Sequence, residues 1–419
     1  MNRLLIFCLL VVCCTACSRR LHVERSLQDE LLEQLMQSKP EQFSSILANR
    51  DSLNVQIIYT QINRNKHNQP SFTPYTFHLH PNQYFYPAST VKMPVAFLAL
   101  EKLAELKSYG IDKYSTLITD SAAPKQDMVY NQPLAEDGRP SVANYIRQIF
   151  LVSDNNAFNR LYEFLGQGYI QQKLAEKGYA DAIIRHRLQA GFTNADNSIT
   201  NPVQFYDTAG KLLYSQATQS NKTTFPSLNV KLGKGFYQNG KLVDGPFDFS
   251  EKNRLYLEDL THMLQSVLFP ESFPEQQRFH FSEDDRQFLL HWMSAYPKES
   301  RYPYYDTASY WDSYCKFLLF GSEKSNIPSY IRVFNKVGDA YGFLTDVAYV
   351  IDIKHNVEFM LSATILCNSK GIFNSDQYDY ETLGLPFMKN IGQLVYQYEL
   401  TRKRKYKPNL GSFILNYNE

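Results

Sequence analysis

The chain has 419 residues, 44% hydrophobic and 20% charged, with a formal net charge of +1. That length can hold a large core and two structural lobes, and the composition is that of an ordinary globular protein rather than a disordered one. A near-neutral balance excludes a nucleic-acid binder; the basic cluster Arg402, Lys403, Arg404, Lys405 and Lys407 reads as a solvated helix end.

Residues 1–17 read as a targeting segment. Arg3 supplies positive charge, residues 4–12 are an apolar run too short to span a bilayer, and Thr15-Ala16 place small residues before Cys17. The segment resembles the bacterial lipoprotein signal, which implies lipidation of Cys17 and a lipid-anchored protein on the periplasmic or cell-surface side of a membrane. Cys14 stands where that signal usually has Leu or Val, so a plain export signal is the alternative. Of six cysteines, Cys8, Cys13 and Cys14 would leave with the segment. Downstream, Cys315 and Cys367 either pair or are buried thiols, and no spacing suits a metal.

Residues 18–52 carry Leu27, Leu31, Leu32, Leu35, Met36, Phe43, Ile46 and Leu47 at helical spacing and form an N-terminal helical segment ahead of the domain at 53–419. Residues 55–62 read as a strand, 63–69 as a turn and 75–80 as a second strand. Helical patterns follow at 95–109, 142–151, 157–165 and 202–214. Residues 215–281, rich in Gly, Asn, Pro and aromatics, include an expected hairpin from 230–232 and 241–243 around Gly240. Two helices are expected at 253–268 and 282–295, the second opened by a capping box of Ser282 and Asp285. Tyr302 to Tyr305, with Tyr310, Trp311 and Tyr314, form a Tyr-dense patch that packs between lobes or offers a carbohydrate platform. Strands at 330–335, 343–352 and 357–366 and a helix at 381–398 complete the chain. Strands at both ends with helices between imply an α/β (α+β) architecture, one antiparallel sheet built from the N- and C-terminal segments with an inserted all-helical lobe.

Chemistry concentrates in Ser89-Thr90-Val91-Lys92. Three-residue spacing at the start of a helix puts a hydroxyl and an amine on one face, and the first turn leaves backbone N–H groups unpaired beside the serine. Ser89 is the candidate nucleophile, and Lys92 can be its base if burial or a nearby cation depresses its pKa. An N-cap serine with a surface lysine is the plainer reading, but Val91, Pro94, Val95, Phe97 and Leu98 make the helix apolar around most of its surface. Ser153-Asp154-Asn155 lies between two helical runs, as a cap or as a hydroxyl and an amide facing a cleft. Lys336-Val337-Gly338 closes the first C-terminal strand.

In that order the three tripeptide-scale motifs resemble those of the serine penicillin-recognising enzymes, class A β-lactamases in particular. The second extends through Ala157, Asn159 and Leu161 like that family's helix start. Thr200-Asn201-Pro202 before a helix and Leu289-Leu290-His291-Trp292-Met293 are similar to further landmarks, with 215–281 as an insertion. The resemblance implies Ser89 as the acylated nucleophile, Lys92 as its base and Ser153 as the proton route to the leaving nitrogen. It implies substrate binding by Asn155, Val337 and Gly338, positive charge from Lys336, and an oxyanion hole of the Ser89 and Asp339 backbone N–H groups. Two positions depart. Val337 replaces a hydroxyl-bearing residue, and the family's deacylating Glu falls near Arg185, in a stretch from Ala182 to Ala195 without Asp or Glu. His186 could replace it or be a solvent-facing loop residue.

The expectation is a monomeric serine hydrolase working through an acyl-enzyme, without metal or organic cofactor. Its substrate is a small-molecule or peptide amide, β-lactam or peptidoglycan-like. The alternatives are a cell-wall peptidase or esterase and a binding or sensor lipoprotein that does not turn over.

Overall fold

The computed structural model describes residues 30–417 apart from Asn82 and Thr223. The targeting segment and Cys17 therefore lie outside the described residues. The first described elements are two short amphipathic helices, α1 (Glu30–Gln37) and α2 (Pro40–Ala48), which bury Leu32, Met36, Phe43 and Ile46. Strand β1 (Gln56–Arg64) turns back through Asn65 into β2 (Pro70–Phe77). The second strand thus starts earlier than residue 75, because an Asx turn at Asn65 closes the hairpin tightly: its side chain accepts the His67 and Gln69 N–H groups.

A 3₁₀ turn (Ala88–Val91) leads into the buried helix α3 (Lys92–Glu105). The lobe beyond it contains β3 (Thr116–Thr119), α4 (Val142–Val152), α5 (Asn155–Leu165), α6 (Gln167–Glu176), α7 (Asn194–Ser198) and β4 (Ile199–Thr200). The helix expected at 202–214 is instead a hairpin, β5 (Val203–Tyr206) and β6 (Leu212–Gln216), paired to β3. Its residues alternate, with Val203 and Phe205 buried and their neighbours half-exposed, and Gly210 at φ 82° makes the turn.

Short strands follow: β7 (Gln219–Ser220), β8 (Lys231–Leu232), β9 (Gly235–Gln238), β10 (Lys241–Asp244) and β11 (Phe247–Asp248). The expected hairpin forms at Asn239-Gly240, but its first strand is β9, while Lys231 and Leu232 pair with β11. Helices α8 (Leu257–Leu268) and α9 (Glu283–Ser294) follow. In α9 the Asp285 carboxylate accepts the Ser282 hydroxyl, and Ser282 Oγ accepts the Asp285 N–H.

The chain closes with β12 (Ile331–Ala340), β13 (Phe343–Asp352), β14 (Val357–Leu366), β15 (Ile372–Phe373) and α10 (Leu385–Thr401). The main sheet runs β12-β13-β14-β1-β2, antiparallel throughout, so the N-terminal hairpin joins the C-terminal strands. Its two faces feed separate cores. Ile58, Val347 and Met360 face α3 and α8, whereas Tyr59, Ala348 and Leu361 face α1, α2 and α10. Strand β12 continues past the expected end at residue 335, so Lys336, Val337 and Gly338 lie within it rather than closing it. The strand β15 pairs parallel with β9, which brings the 215–281 segment against the end of the sheet.

In the basic C-terminal cluster Lys403, Lys405 and Lys407 are exposed beyond the helix end, as expected, but the two arginines are not solvated. Arg402 and Arg404 both bind the fully buried Glu399 carboxylate, which also accepts the Tyr59 hydroxyl. Cys315 and Cys367 are separate buried thiols. No helix among the described residues is long and apolar enough to cross a membrane.

Candidate active site

The site forms where the turn before α3 meets the outer edge of the sheet and the junction of α4 with α5. Pro87 precedes the 3₁₀ turn, and Ala88 adopts φ 47°, a left-handed conformation unusual for a residue with a side chain. Ser89 is half-buried, and its hydroxyl has no hydrogen-bond partner among the described residues. Lys92 follows at the start of α3 and is fully buried. Strand β12 crosses directly against this turn: a Cβ on Gly338 would stand 2.7 Å from Pro87 O and 2.9 Å from the Ser89 and Thr90 nitrogens. Only glycine permits that approach.

Ser153 ends α4 in the left-handed region at φ 60°, and Asp154 then caps α5 by accepting the Ala157 N–H at 2.7 Å. This pair of helix ends turns Ser153 and Asn155 toward the two lysines. Lys92 Nζ donates to Ser153 O, to Ser153 Oγ at 3.2 Å and to Asn155 Oδ1 at 2.7 Å. Lys336 Nζ donates to the same Ser153 Oγ at 2.8 Å and to Val337 O at 2.8 Å. Two buried ammonium groups therefore share one hydroxyl, and neither has a carboxylate within ion-pair distance among the described residues. Burial, then the neighbouring Lys336 cation, hold the Lys92 amine well below the ordinary lysine value. Burial brings Lys336 down to about 8. Asp339, further along β12, is exposed into the clefts, yet desolvation by the surrounding walls pushes its carboxyl up despite both lysines.

Ser89 opens into two adjoining clefts, of about 580 and 970 Å³, which share Ser89, Asn155, Gln189, Asp339 and Tyr380. One is walled by Tyr86, His186 and Tyr341, together with Lys252 from the 215–281 segment. The other is walled by Tyr310, Trp311 and Tyr314, whose rings contact one another at 5.0 to 5.2 Å. Tyr310, Trp311 and Tyr314 thus line a cleft wall, where Tyr310 also packs against one core and Tyr314 against the other, while Tyr305 joins the first of these cores.

The loop between α6 and α7 borders this space and is held from below. Arg187 binds Glu163 at 2.7 Å with both side chains 1% exposed, and Arg160 binds the same carboxylate at 2.8 Å. Asn159 exchanges two hydrogen bonds with the Leu188 backbone. His186 is not a solvent-facing residue. It stacks on Tyr86, its Nδ1 lies 2.7 Å from Arg187 O, and its Nε2 accepts the Asn253 N–H at 3.3 Å. Burial lowers its pKa to about 4. Both ring nitrogens are thus engaged with backbone. Asp196 belongs to the cap of α7 and pairs with Lys125 at 2.9 Å; hydrogen bonds from Lys125 and Thr193 bring it down to about 2.

Every motif residue expected from sequence converges here: Ser89, Lys92, Ser153, Asn155, Lys336, Val337, Gly338 and Asp339. Gln189 was not expected. Its Oε1 accepts Asn155 Nδ2 at 2.6 Å, tying the loop across the junction of the two clefts. No motif announces it, and its φ of 51° is visible only in three dimensions. Lys252 and Tyr380 likewise reach the clefts from segments distant in sequence.

An antiparallel sheet of N- and C-terminal strands, flanked by helices and interrupted by a helical lobe, is the β-lactamase/transpeptidase architecture. The model of the family described as "Beta-lactamase enzyme family" matches residues 41–231. With that architecture, the match defines a β-lactamase-superfamily fold. Among solved structures, the chain is similar to a β-lactamase from Sphaerobacter thermophilus, at 12% identity and a TM-score of 0.45, covering 86% of this chain and 97% of that one. It is also similar to PBP-A, at 15% identity and a TM-score of 0.46, covering 88% and 95%. A β-lactamase from Xanthomonas campestris gives 12% identity, a TM-score of 0.46, and 88% and 98% coverage. No curated protein matches the chain.

Proposed function

We propose that the chain is a class A β-lactamase-like serine hydrolase that acylates Ser89 with an amide substrate and releases the acyl group slowly. The carrying observation is the pair of buried lysines meeting on Ser153 beside the Ser89 hydroxyl, the lysines without carboxylate partners and the hydroxyl without a hydrogen bond among the described residues. Deprotonated Lys92 takes the Ser89 proton as Oγ attacks the amide carbon. The C–N bond then breaks, and the proton passes through Ser153 to the leaving nitrogen. The backbone N–H groups of Ser89 and Asp339 stabilise the oxyanion. Asn155 positions the substrate amide once Gln189 yields, Val337 and Gly338 line the bound chain, and Lys336 supplies positive charge.

Deacylation needs a base beside the ester, a contribution typically worth about 10² to 10⁴ in rate. His186 and Asp196 are committed elsewhere, and the Gln189 carboxamide cannot accept a proton at neutral pH. A penicillin should therefore leave a persistent mass increase on Ser89 in intact-protein mass spectrometry, absent in Ser89→Ala. Fast turnover without an adduct would refute slow release, and undiminished labelling of Ser89→Ala would refute the nucleophile. The two-part cleft and the absence of a hydroxyl at Val337 favour a second reading, a peptidase or esterase acting on cell-wall-like chains. Hydrolysis of such chains by a protein that binds β-lactams poorly would select it. A protein inert to any serine-reactive probe would instead be a binding lipoprotein.

The chain is further proposed to act as an exported monomer lipid-anchored at Cys17, with residues 18–52 as a helical lead and 215–281 as an insertion in the catalytic domain. Labelled palmitate should tag the protein and fail to tag Cys17→Ser; an untagged wild type would mean an ordinary export signal.

A further inference from the structure

We infer that Asp339 is the charge-selecting residue of this site, so that the substrate presents an ammonium group beside the scissile carbonyl and one bearing a carboxylate there is turned away. The inference rests on the acyl-transfer reading above and names one feature of its substrate.

The strand sets the position. Successive side chains alternate along β12, so Asp339 projects from the same face as Val337. Val337 is buried in the core that holds Leu344 and Ala348, but two residues further on that core has ended, and the Asp339 side chain is exposed where the two clefts meet at Ser89. Between them, Gly338 packs on the turn that carries the serine. A substrate whose carbonyl oxygen accepts the Asp339 N–H therefore lies beside that residue's carboxylate.

This carboxylate is uncommitted: it makes no hydrogen bond or ion pair among the described residues. Lys92 and Lys336 act on it only at a distance, since both are spent on Ser153, Asn155 and the Val337 carbonyl, and neither lines a cleft. Of the cations that do line the clefts, Arg187 is bound to Glu163, Lys252 stands over Tyr341 at 5.7 Å and Phe247 at 5.8 Å, and Lys324 stands over Trp311 at 4.7 Å. Desolvation by the cleft walls disfavours the charged form of Asp339. A substrate carboxylate would add a like charge to that cost, whereas an ammonium would offset it.

An aromatic neighbour favours the same group. Tyr380 lines both clefts, and burial, then the Asp339 charge, hold its hydroxyl above the ordinary tyrosine value. That hydroxyl accepts the Gly342 N–H at 2.8 Å, so the ring is what remains to meet a ligand. A carboxylate and an aromatic face beside it both attract a cation. Of the other acidic groups lining the clefts, Glu251 is bonded by the Asn194 side-chain amide, and Asp376 and Glu381 are exposed.

Three phenylacetyl thioesters test this, alike except for a para aminomethyl, carboxamide or carboxylate group. With each, Lys92 takes the Ser89 proton, the Oγ–acyl bond forms and the C–S bond breaks to release the thiol, so their rates differ only through the para group. Intact-protein mass spectrometry of the full chain gives the three acylation rates. The wild type should take the ammonium compound about tenfold to a hundredfold faster than the carboxamide, the range of one charge-assisted hydrogen bond, and the carboxylate slowest. Asp339→Asn and Asp339→Ser should bring the three rates together, and Asp339→Glu should keep their order. A neutral fluorophosphonate reads the competence of Ser89 in each variant. Wild-type labelling by it without an ammonium preference would overturn the Asp339 assignment alone. So would a preference that survives Asp339→Asn and Asp339→Ser, or one lost in Glu251→Gln, Asp376→Asn or Glu381→Gln instead. No fluorophosphonate label on the wild type would overturn the acyl-transfer reading and this inference with it.

Discussion

Two clusters of buried cations flank the clefts, and they are built on opposite terms. Under the loop that follows α6, Arg160 and Arg187 enclose one carboxylate, Glu163, and the three charges fix a piece of backbone. At the sheet edge, Lys92 and Lys336 converge on a hydroxyl and on carbonyl oxygens, with no carboxylate within ion-pair distance among the described residues. An anionic partner stabilises the charged form and makes a buried cation inert. A neutral partner leaves the desolvation cost uncompensated, so the amine sheds its proton readily and becomes a base. Guanidinium suits the first arrangement because it does not deprotonate, and ammonium suits the second because it does.

Removing the amine should have the largest effect. Lys92→Met keeps the volume and loses the base, so Ser89 labelling by an acylating ligand should slow by about 10² to 10⁴; labelling at the wild-type rate would mean another group takes the proton. In the other cluster, Glu163→Gln leaves two buried guanidinium groups without their anion. It should cost roughly 3 to 5 kcal/mol in denaturant unfolding while a neutral probe still finds Ser89 in the fraction that folds. A change below about 1 kcal/mol would mean that the arginines find water or carbonyls instead.

The pH profile sharpens the contrast with a smaller effect. The labelling rate should rise with pH as Lys92 loses its proton, and fall as Lys336, at about 8, loses its own. Lys336→Ala removes a cation that lowers the Lys92 pKa, so the rising limb should move to higher pH and the falling limb should vanish. A rising limb that stays in place would mean that burial alone sets the Lys92 value. The smallest expected effect is on stability. Lys102, buried against the Phe164 carbonyl and Gln216, is brought down to about 7 by burial. Between that value and the unfolded value near 10.4 the unfolded chain holds a proton that the folded chain has released. Stability should therefore rise with pH from about 7 to 9.5, read as a rising melting temperature, and Lys102→Met should flatten the slope.

The features legible in sequence were those set by local spacing or strong patterning. The ranges 343–352 and 357–366 coincide with β13 and β14, strands buried on both faces and bounded by turns at Tyr341-Gly342 and residues 353–356. The three motifs were legible because each is a short run in which the chain itself places the reacting groups. The hairpin at residues 203–216 was misread as a helix because its apolar residues fit both periods, and only pairing with β3 decides between them. His186 was misread because the ring it stacks on, Tyr86, is remote in sequence. Gln189 and Lys252 carry no local signature, since their significance lies in which side chains fold up opposite them.

The crossing of β12 against the turn at Ser89 also has a meaning in time. Ser153 lies 61 residues after Lys92, but Lys336 lies 183 residues after Ser153. A chain that has emerged only through α9 already holds the proposed nucleophile, first lysine and hydroxyl, yet it lacks the strand whose Gly338 packs against the turn at Ser89. Such a chain would keep Lys92 hydrated and protonated, and Ser89 would be as unreactive as any other serine. Pairing of distant strands is also among the slower events of folding. On the proposed acyl-transfer reading, completion of the sheet edge is thus the step that arms Ser89, and a protein interrupted before that point should go unlabelled by an acylating probe.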